Sequence, residues 1–352
     1  MLSSVNKLPI TAILPCYNHA TYLAERIQSI RCQSVRVSEI IFLDDASTDS
    51  SLQVAQSLLD ECEIEVSFYS NQVNSGSPFS QWNKGILLAK YPVIWIAETD
   101  DSCHPQLLET LYSKLLASNS VLSFSQSRYI NSLSHDIGSS LSYIPATQRS
   151  TFTTDFVING KKFNDTFMKN RNLVPNASAV LFLRDAFVDV GLANPTMRYC
   201  GDWDMWLRLA DISRVVYVAD ELNYFRCHSS TTRSNGNTSI YKAEAFACRL
   251  RAIFHIYKPL DHAVSFSDML KYCLSNTPSD IVFMVRRLSI RSFLQVVKSY
   301  SKLSSVPQPT LSVWMFALLL LSWERLYSKP LLIFKRVKSL YSSRKAFKTD
   351  IP

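Results

Sequence analysis

Residues 39–59 read EIIFLDDASTDSSLQVAQSLL. The short apolar run Glu39–Leu43 ends abruptly in Asp44 and Asp45. A run of that length, closed by turn-forming residues, marks a strand buried on both faces. Ser47-Thr48-Asp49 then offers helix caps, and Leu52, Val54, Ala55, Leu58 and Leu59 follow behind it, at helical spacing. A buried strand that hands polar residues to the start of a helix is one unit of a parallel α/β sheet.

The same unit recurs on either side. Ile10–Leu14 (ITAIL) ends at Pro15 and precedes a helix over Tyr22–Cys32, with Leu23, Ile27 and Ile30 on one face. Ile64–Tyr69 reads as a third strand, Phe79–Ala89 as a helix, and Val93–Ala97 (VIWIA) as a fourth strand that also ends in acids. Four strands alternating with helices predict an α/β fold, a mostly parallel sheet with helices on both faces. Ligands of such sheets bind at the carboxyl ends of the strands. There the sequence places PCYNH, DDASTD and ETDD. Residues 125–175 are rich in Ser and Asn and show no clear period. Beyond them, 179–182 (AVLF) reads as a strand, 201–210 (GDWDMWLRLA) as a helix, and 215–218 and 222–225 as two short strands. The polar stretch SNGNTS sets an expected boundary near residue 238, which divides the chain into a domain of residues 1–238 and a helical region of residues 239–352.

Composition narrows the setting. Of the 352 residues, 47% are apolar and 19% charged, the latter below the roughly 25% usual for soluble domains. The net charge of +8 is unevenly spread: Leu321–Pro352 holds eight basic and two acidic residues, and the rest holds 29 basic and 27 acidic. A neutral body with a basic tail fits an anionic membrane surface, and no base-reading motif accompanies the tail to point to nucleic acid. The longest apolar run, Val313–Trp323, has 11 residues, short of the about 20 that a membrane span needs. It reads either as a buried core helix or as an interfacial helix with Arg325–Lys348 among the headgroups. The eight cysteines form no CxxC pair, and the opening MLSSVNKLPI has no apolar secretory core. A reduced cytoplasmic setting follows, peripheral to the inner face of the plasma membrane.

Four clusters could carry chemistry, and each has a plainer reading. Glu98-Thr99-Asp100-Asp101 offers hard oxygen ligands for Mg²⁺ or Mn²⁺ bridged to phosphates, or is a solvated acidic turn. Asp44–Asp49 could receive a base or ribose, or only cap a helix. Pro15-Cys16-Tyr17-Asn18 could stack and edge a nucleobase, or be an ordinary turn. Asp202, near the start of its helix, is either a cap or a general base kept ionised by the helix dipole. The tryptophans beside it could line a sugar site.

Together and in order, over roughly residues 9–233, these segments resemble the family 2 glycosyltransferases, which share the GT-A fold. IIFLDDASTDSS is similar to that family's VDDGSTD signature, with Ala46 in place of the usual Gly. TAILPCYNHATYL resembles its opening, NSGSPFSQWNKGILLAK its donor loop and helix, and IAETDD its DxD-type motif. GDWDMWLRLA resembles its acceptor-side helix, and YFRCHSSTTR its trailing R-x-H segment. The resemblance implies that Pro15, Tyr17 and Asp45 hold the nucleobase and ribose, with Cys16 and Asn18 adjacent. It assigns Asn74, Gly76, Asn83 and Lys84 to the donor pocket, and Asp100 to the ribose or sugar. Asp101 would bind a divalent metal, Mn²⁺ or Mg²⁺, on the diphosphate, with Glu98 and His228 as further metal candidates. Asp202 would be the catalytic base, with Trp203 and Asp204 beside the acceptor. The implied reaction is inverting transfer from a nucleotide sugar, a UDP-sugar from family habit, to a glycan or lipid-linked glycan of the cell surface. The rival readings are a nucleotidyltransferase and an inactive nucleotide-sugar binding protein. The first lacks its Gly-rich loop here, and the second has no need of Asp202 together with the acids.

Overall fold

A computed structural model describes residues 6–60 and 62–228, together with 241, 244, 245, 248, 249, 251 and 252. The chain divides into Met1–His262 and Ala263–Pro352. The apolar run Val313–Trp323 and the basic tail lie outside the described residues. Among the described residues, no helix is long and apolar enough to cross a membrane.

The first unit opens with β1 (Lys7–Cys16), α1 (Ala20–Arg31), β2 (Arg36–Asp44), α2 (Ser51–Leu59), β3 (Glu65–Ser70), α3 (Pro78–Leu88) and β4 (Val93–Ile96). It continues with β5 (Ser102–Cys103), α4 (Leu107–Ala117), β6 (Leu122–Ile130), β7 (Asp136–Ser139), α5 (Ala146–Arg149) and β8 (Phe156–Asn159). Then come α6 (Gly160–Phe163), β9 (Val180–Leu183), α7 (Arg184–Asp189), α8 (Gly201–Asp211) and β10 (Arg214–Arg226). The strands form one sheet in the order β3-β2-β1-β4-β9-β6-β10-β5, with β7 on β6 and β8 on β10. The β3-β2-β1-β4 half is parallel, as the alternating pattern predicts. Strand β9 runs antiparallel to both β4 and β6, so the sheet as a whole is mixed.

Alternate residues of β1 feed opposite cores, as a strand's period of two requires. Ile10, Ala12 and Leu14 pack with α1, α2 and α4. Ile13 packs with Ile41, Leu43, α3 and α8. Residues 215–218 and 222–225 belong to one continuous strand, β10, whose register shifts between Val218 and Asn223. Those shifts explain why the sequence breaks into two apolar runs. Strands β6, β7 and β8 lie in the Ser/Asn-rich stretch. Ser123, Ser125 and Ser127 of β6 are fully buried, so its face does not read as apolar.

In β1 and β2, Cys16 pairs with Asp44, and Ile13 pairs with Ile96 of β4. The loops after all three strands therefore leave the sheet at one edge. In the second loop Ala46 has φ of 61°, the left-handed region that strains any residue with a Cβ by about 1–2 kcal/mol. This geometry explains why glycine suits the position. An Ala46→Gly variant is expected to gain about 1 kcal/mol and to melt about 2–4 °C higher; an unchanged or lower midpoint in a thermal melt would contradict the strain.

Candidate active site

The three loops and the start of α8 surround one cavity of about 790 Å³, at the upper end of the roughly 300–1,000 Å³ range of ligand pockets. Pro15, Cys16, Tyr17, Asn18, Asp45, Asn74, Gly76, Glu98, Asp100, Asp101, Asp202, Trp203 and His228 all line it. These are thirteen of the sixteen residues singled out from the sequence.

The loops after β1 and β2 and the segment ahead of α3 are tied to one another. Asn18, itself left-handed at φ 58°, accepts the Thr48 amide on Oδ1 at 2.8 Å. Its own amide donates to Ser47 Oγ at 3.0 Å. Asp45 Oδ1 accepts from Asn71 Nδ2 (2.7 Å), the Ser75 amide (2.9 Å) and Gln81 Nε2 (2.8 Å). Asn74 reaches back to the Asp45 carbonyl at 3.1 Å and accepts the Gly76 amide at 2.7 Å. Gly76 sits at φ 72°. Burial pushes the Cys16 thiol up to about 11, which leaves its backbone as the useful group. Tyr17 stands 46% exposed at the mouth, with a free face for stacking.

Two of the residues assigned to the donor pocket stand back from the cavity wall. Asn83 does not line the cavity: it makes a two-way pair with the Ala193 backbone, at 2.8 and 2.9 Å. Lys84 donates to Asn71 Oδ1 at 2.7 Å, and its ammonium lies 5.7 Å from the centre of the Tyr69 ring. Its influence on Asp45 therefore passes through Asn71.

The acidic loop is crowded and short of positive charge. Glu98 accepts the Trp82 indole N–H at 3.0 Å. Burial, then the charges of Asp100 and Asp101, push its carboxyl up to about 8. Burial and Asp100 push Asp101 up to about 7. Its oxygens accept the Arg226 amide at 2.9 Å and Asn176 Nδ2. Burial acts upward on Asp100 too, but the hydrogen bond from His228 and the nearby His19 outweigh it and hold Asp100 below the usual range. The His228 Nε2 to Asp100 Oδ2 distance is 3.1 Å. Beneath the loop lies Arg26, fully buried, its guanidinium 4.6 Å from the centre of the Trp95 ring and bonded to Ser178 at 3.2 Å.

Carboxylates and an imidazole around a cavity suit Mn²⁺ or Mg²⁺, and the raised carboxyls mark where added positive charge would stabilise the site. Among the described residues no three His, Cys, Asp or Glu side chains form a ready-made metal centre. A cation here would share one or two protein ligands with phosphate oxygens and water, the usual manner for Mg²⁺.

A pH dependence follows. Glu98 and Asp101 titrate above their unfolded values, so the folded chain binds more protons than the unfolded chain in that interval. Stability is then highest below the unfolded values and falls as pH rises through about 7 and 8. Carboxyls held low, such as Asp49 and Asp155, titrate in acid, below this window. In chelator, the melting midpoint is expected to drop by a few degrees between about pH 6 and about pH 8, and Mn²⁺ should raise it more at the higher pH. Equal metal shifts at both pH values would contradict the charge shortage.

Asp202 occupies the first turn of α8. Of Gly201–Ala210 it alone is not buried, and it opens onto the cavity. Its carboxylate accepts Asn172 Nδ2 at 2.9 Å and the Trp203 amide at 2.7 Å. Gly201 lets the start of α8 pack closely on α3: a Cβ there would lie 2.5 Å from the Phe79 ring. Trp203 borders the cavity while its indole donates to the Met168 carbonyl at 3.1 Å. Asp204 is the third that stands back, because it faces away from the cavity. Two residues along a helix are about 200° apart, and Asp204 is buried against Arg208 at 2.8 Å and Arg251 at 2.5 Å. Burial acts upward on its carboxyl, and the two arginines outweigh it and hold it low.

Residues 11–187 match Glycosyl transferase family 2. The chain belongs to that family. A stretch of 107 residues is 33% identical to glycosyltransferase GlyG of Streptococcus pneumoniae, covering 30% of this chain and 35% of GlyG. Among solved structures, S. aureus TarS 1–349 in complex with UDP-GlcNAc superposes with a TM-score of 0.58 at 14% identity, over 83% of this chain and 79% of that one. The mannosyltransferase PcManGT from Pyrobaculum calidifontis, in complex with GDP-Man and Mn²⁺, gives 0.51 at 13%, over 95% and 87%. At these identities the likeness establishes the GT-A-type α/β fold.

Sequence reasoning passed over Arg226, Asn172, Asn176, Gln81 and Trp82. Arg226 was within the quoted R-x-H segment. Its guanidinium meets Glu25 at 2.6 Å and the Asp100 carbonyl at 2.6 Å, so it clamps the acidic loop. Gln81 and Trp82 stand beside the Asn83 and Lys84 that were chosen in their place. Asn172 lies in the stretch without a period and Asn176 directly after it, where nothing local marks them.

Proposed function

We propose that this chain moves one sugar from a nucleoside-diphosphate sugar to an acceptor hydroxyl, with inversion at the anomeric carbon. The observation that carries the reading is that Asp202, the Asp45 loop and the acidic loop face one another across a single cavity. Tyr17 and the Asp45 loop hold the nucleoside, and Asp100, Asp101 and His228 stand where a diphosphate and a divalent cation would be held. When bound, the cation supplies charge to the leaving nucleoside diphosphate. Asp202 takes the proton of the acceptor hydroxyl as that oxygen attacks from the face opposite the leaving group. Asn172 and the Trp203 amide hold the carboxylate still meanwhile. UDP-GlcNAc in TarS and GDP-Man with Mn²⁺ in PcManGT support a nucleotide sugar as donor. The acceptor we assign is a glycan or lipid-linked glycan of cell-surface polysaccharide or lipopolysaccharide assembly. The enzyme would act in the cytoplasm, peripheral to the inner face of the plasma membrane, to which the basic tail is suited.

The test is release of nucleoside diphosphate from UDP-glucose, UDP-galactose, UDP-N-acetylglucosamine and GDP-mannose, with and without Mn²⁺ and without acceptor. Slow, metal-dependent release from one donor, lost in Asp101→Ala, supports the proposal and names the sugar. No release from any donor, with no UDP or GDP binding by calorimetry, would overturn it.

A further inference from the structure

The backbone just ahead of α8 is held from outside the family match. The amides of Arg198, Tyr199 and Cys200 all donate to the Glu244 carboxylate, at 2.8, 2.7 and 2.9 Å. Cys200 is the N-cap of α8 and the other two amides lie just ahead of it, where a carboxylate suits the helix dipole. Glu244 is buried, and burial pushes its carboxyl up. Burying a carboxylate is costly unless donors meet it, so carboxylate and amides depend on each other.

Neighbouring residues grip the same region. Tyr241, Glu244, Cys248 and Arg251 each meet a residue between 198 and 204. Tyr241 meets Tyr199 edge-on, with ring centres 6.3 Å apart. Cys248 Sγ lies 3.6 Å from the Cys200 carbonyl, and Arg251 pairs with Asp204. Arg249 donates to the Asn170 carbonyl at 3.0 Å, two residues before the Asn172 that holds Asp202.

We infer that Glu244 is a positioning residue for Asp202: by fixing three successive amides it sets the start of α8, and through it the direction of the Asp202 carboxylate. This rests on the reading of Asp202 as the base. A plain structural brace would lower stability and donor binding along with turnover. A positioning residue lowers turnover selectively, because a displacement on the order of 1 Å can cost about 10²-fold.

The test uses the full chain, Glu244→Ala and the isosteric Glu244→Gln, Asp202→Asn, and the Glu244→Ala/Asp202→Asn double variant. Three quantities are measured: hydrogen exchange of a peptide spanning 198–204, UDP affinity by calorimetry, and nucleoside diphosphate release from the donor found above. Faster exchange is expected in Glu244→Ala, with release slowed about 10²-fold, UDP affinity within about twofold, and Glu244→Gln intermediate. The double variant should be no slower than Asp202→Asn, since the two residues act as a unit. Release at the parent rate in both Glu244 variants would overturn the inference. So would losses that multiply in the double variant, or UDP affinity that falls in step with release. Asp202→Asn at the parent rate would instead overturn the base reading and this inference with it; a slow Asp202→Asn beside a normal Glu244→Ala overturns this inference alone.

Discussion

Replacing Asp202 by Asn is expected to slow sugar transfer by about 10²–10⁴-fold, the range that general-base assistance contributes, while UDP binding and the melting midpoint stay close to the parent. The separation follows from where Asp202 sits. It alone among the first ten residues of α8 is not buried, so the change disturbs little packing. Asn keeps the size of the side chain and one acceptor oxygen for the Trp203 amide, now at 2.7 Å. What it lacks is a carboxylate to take the acceptor proton. The proposed nucleotide contacts lie on the Asp45 side of the cavity and are not touched. Turnover and calorimetry on the same preparation check this. Retained turnover would remove Asp202 from the chemistry, and a joint loss of turnover and UDP affinity would make it a binding residue.

How much of this was legible in the sequence depended on how local the signal was. The parallel half of the sheet was legible because β1, β2 and β4 each hold a short apolar run ended by acids or Pro, a pattern that needs no knowledge of distant contacts. The convergence of PCYNH, DDASTD and ETDD followed from strand direction alone. The antiparallel β9 was seen as a strand, but its direction depends on pairing with β4 and β6, which no local period reports. Strand β6 was missed because buried serines fill its face. Asn83, Lys84 and Asp204 came from the resemblance, and they share helices with residues that do face the cavity, where each step along the helix turns a side chain by about 100°. Glu244 and Arg251 were out of reach because their partners are the backbone and side chains of residues 198–204, more than forty positions earlier.

Asp204→Ala is expected to fail in the opposite way to Asp202→Asn, by losing stability of about 3–5 kcal/mol, the cost of leaving buried charge without its partner. The Asp204 side chain is 3% exposed, as is that of Arg208, and Arg251 is 9% exposed. One carboxylate thus serves two guanidiniums that water barely reaches. Arg208 also donates to the Val190 carbonyl at 2.6 Å, so it cannot swing out to solvent without breaking a second bond. Removing Asp204 leaves two cations facing each other across the space of one methyl group. Replacing Arg208 by Met should cost less than removing Asp204, because Arg251 then still balances the carboxylate. Chemical denaturation of the three proteins gives the order directly: parent above Arg208→Met, and Arg208→Met above Asp204→Ala. If Asp204→Ala kept the parent's midpoint, water or another anion must reach the pair and the burial argument is wrong. If it kept its midpoint but lost turnover, Asp204 rather than Asp202 would be the carboxylate that meets the acceptor.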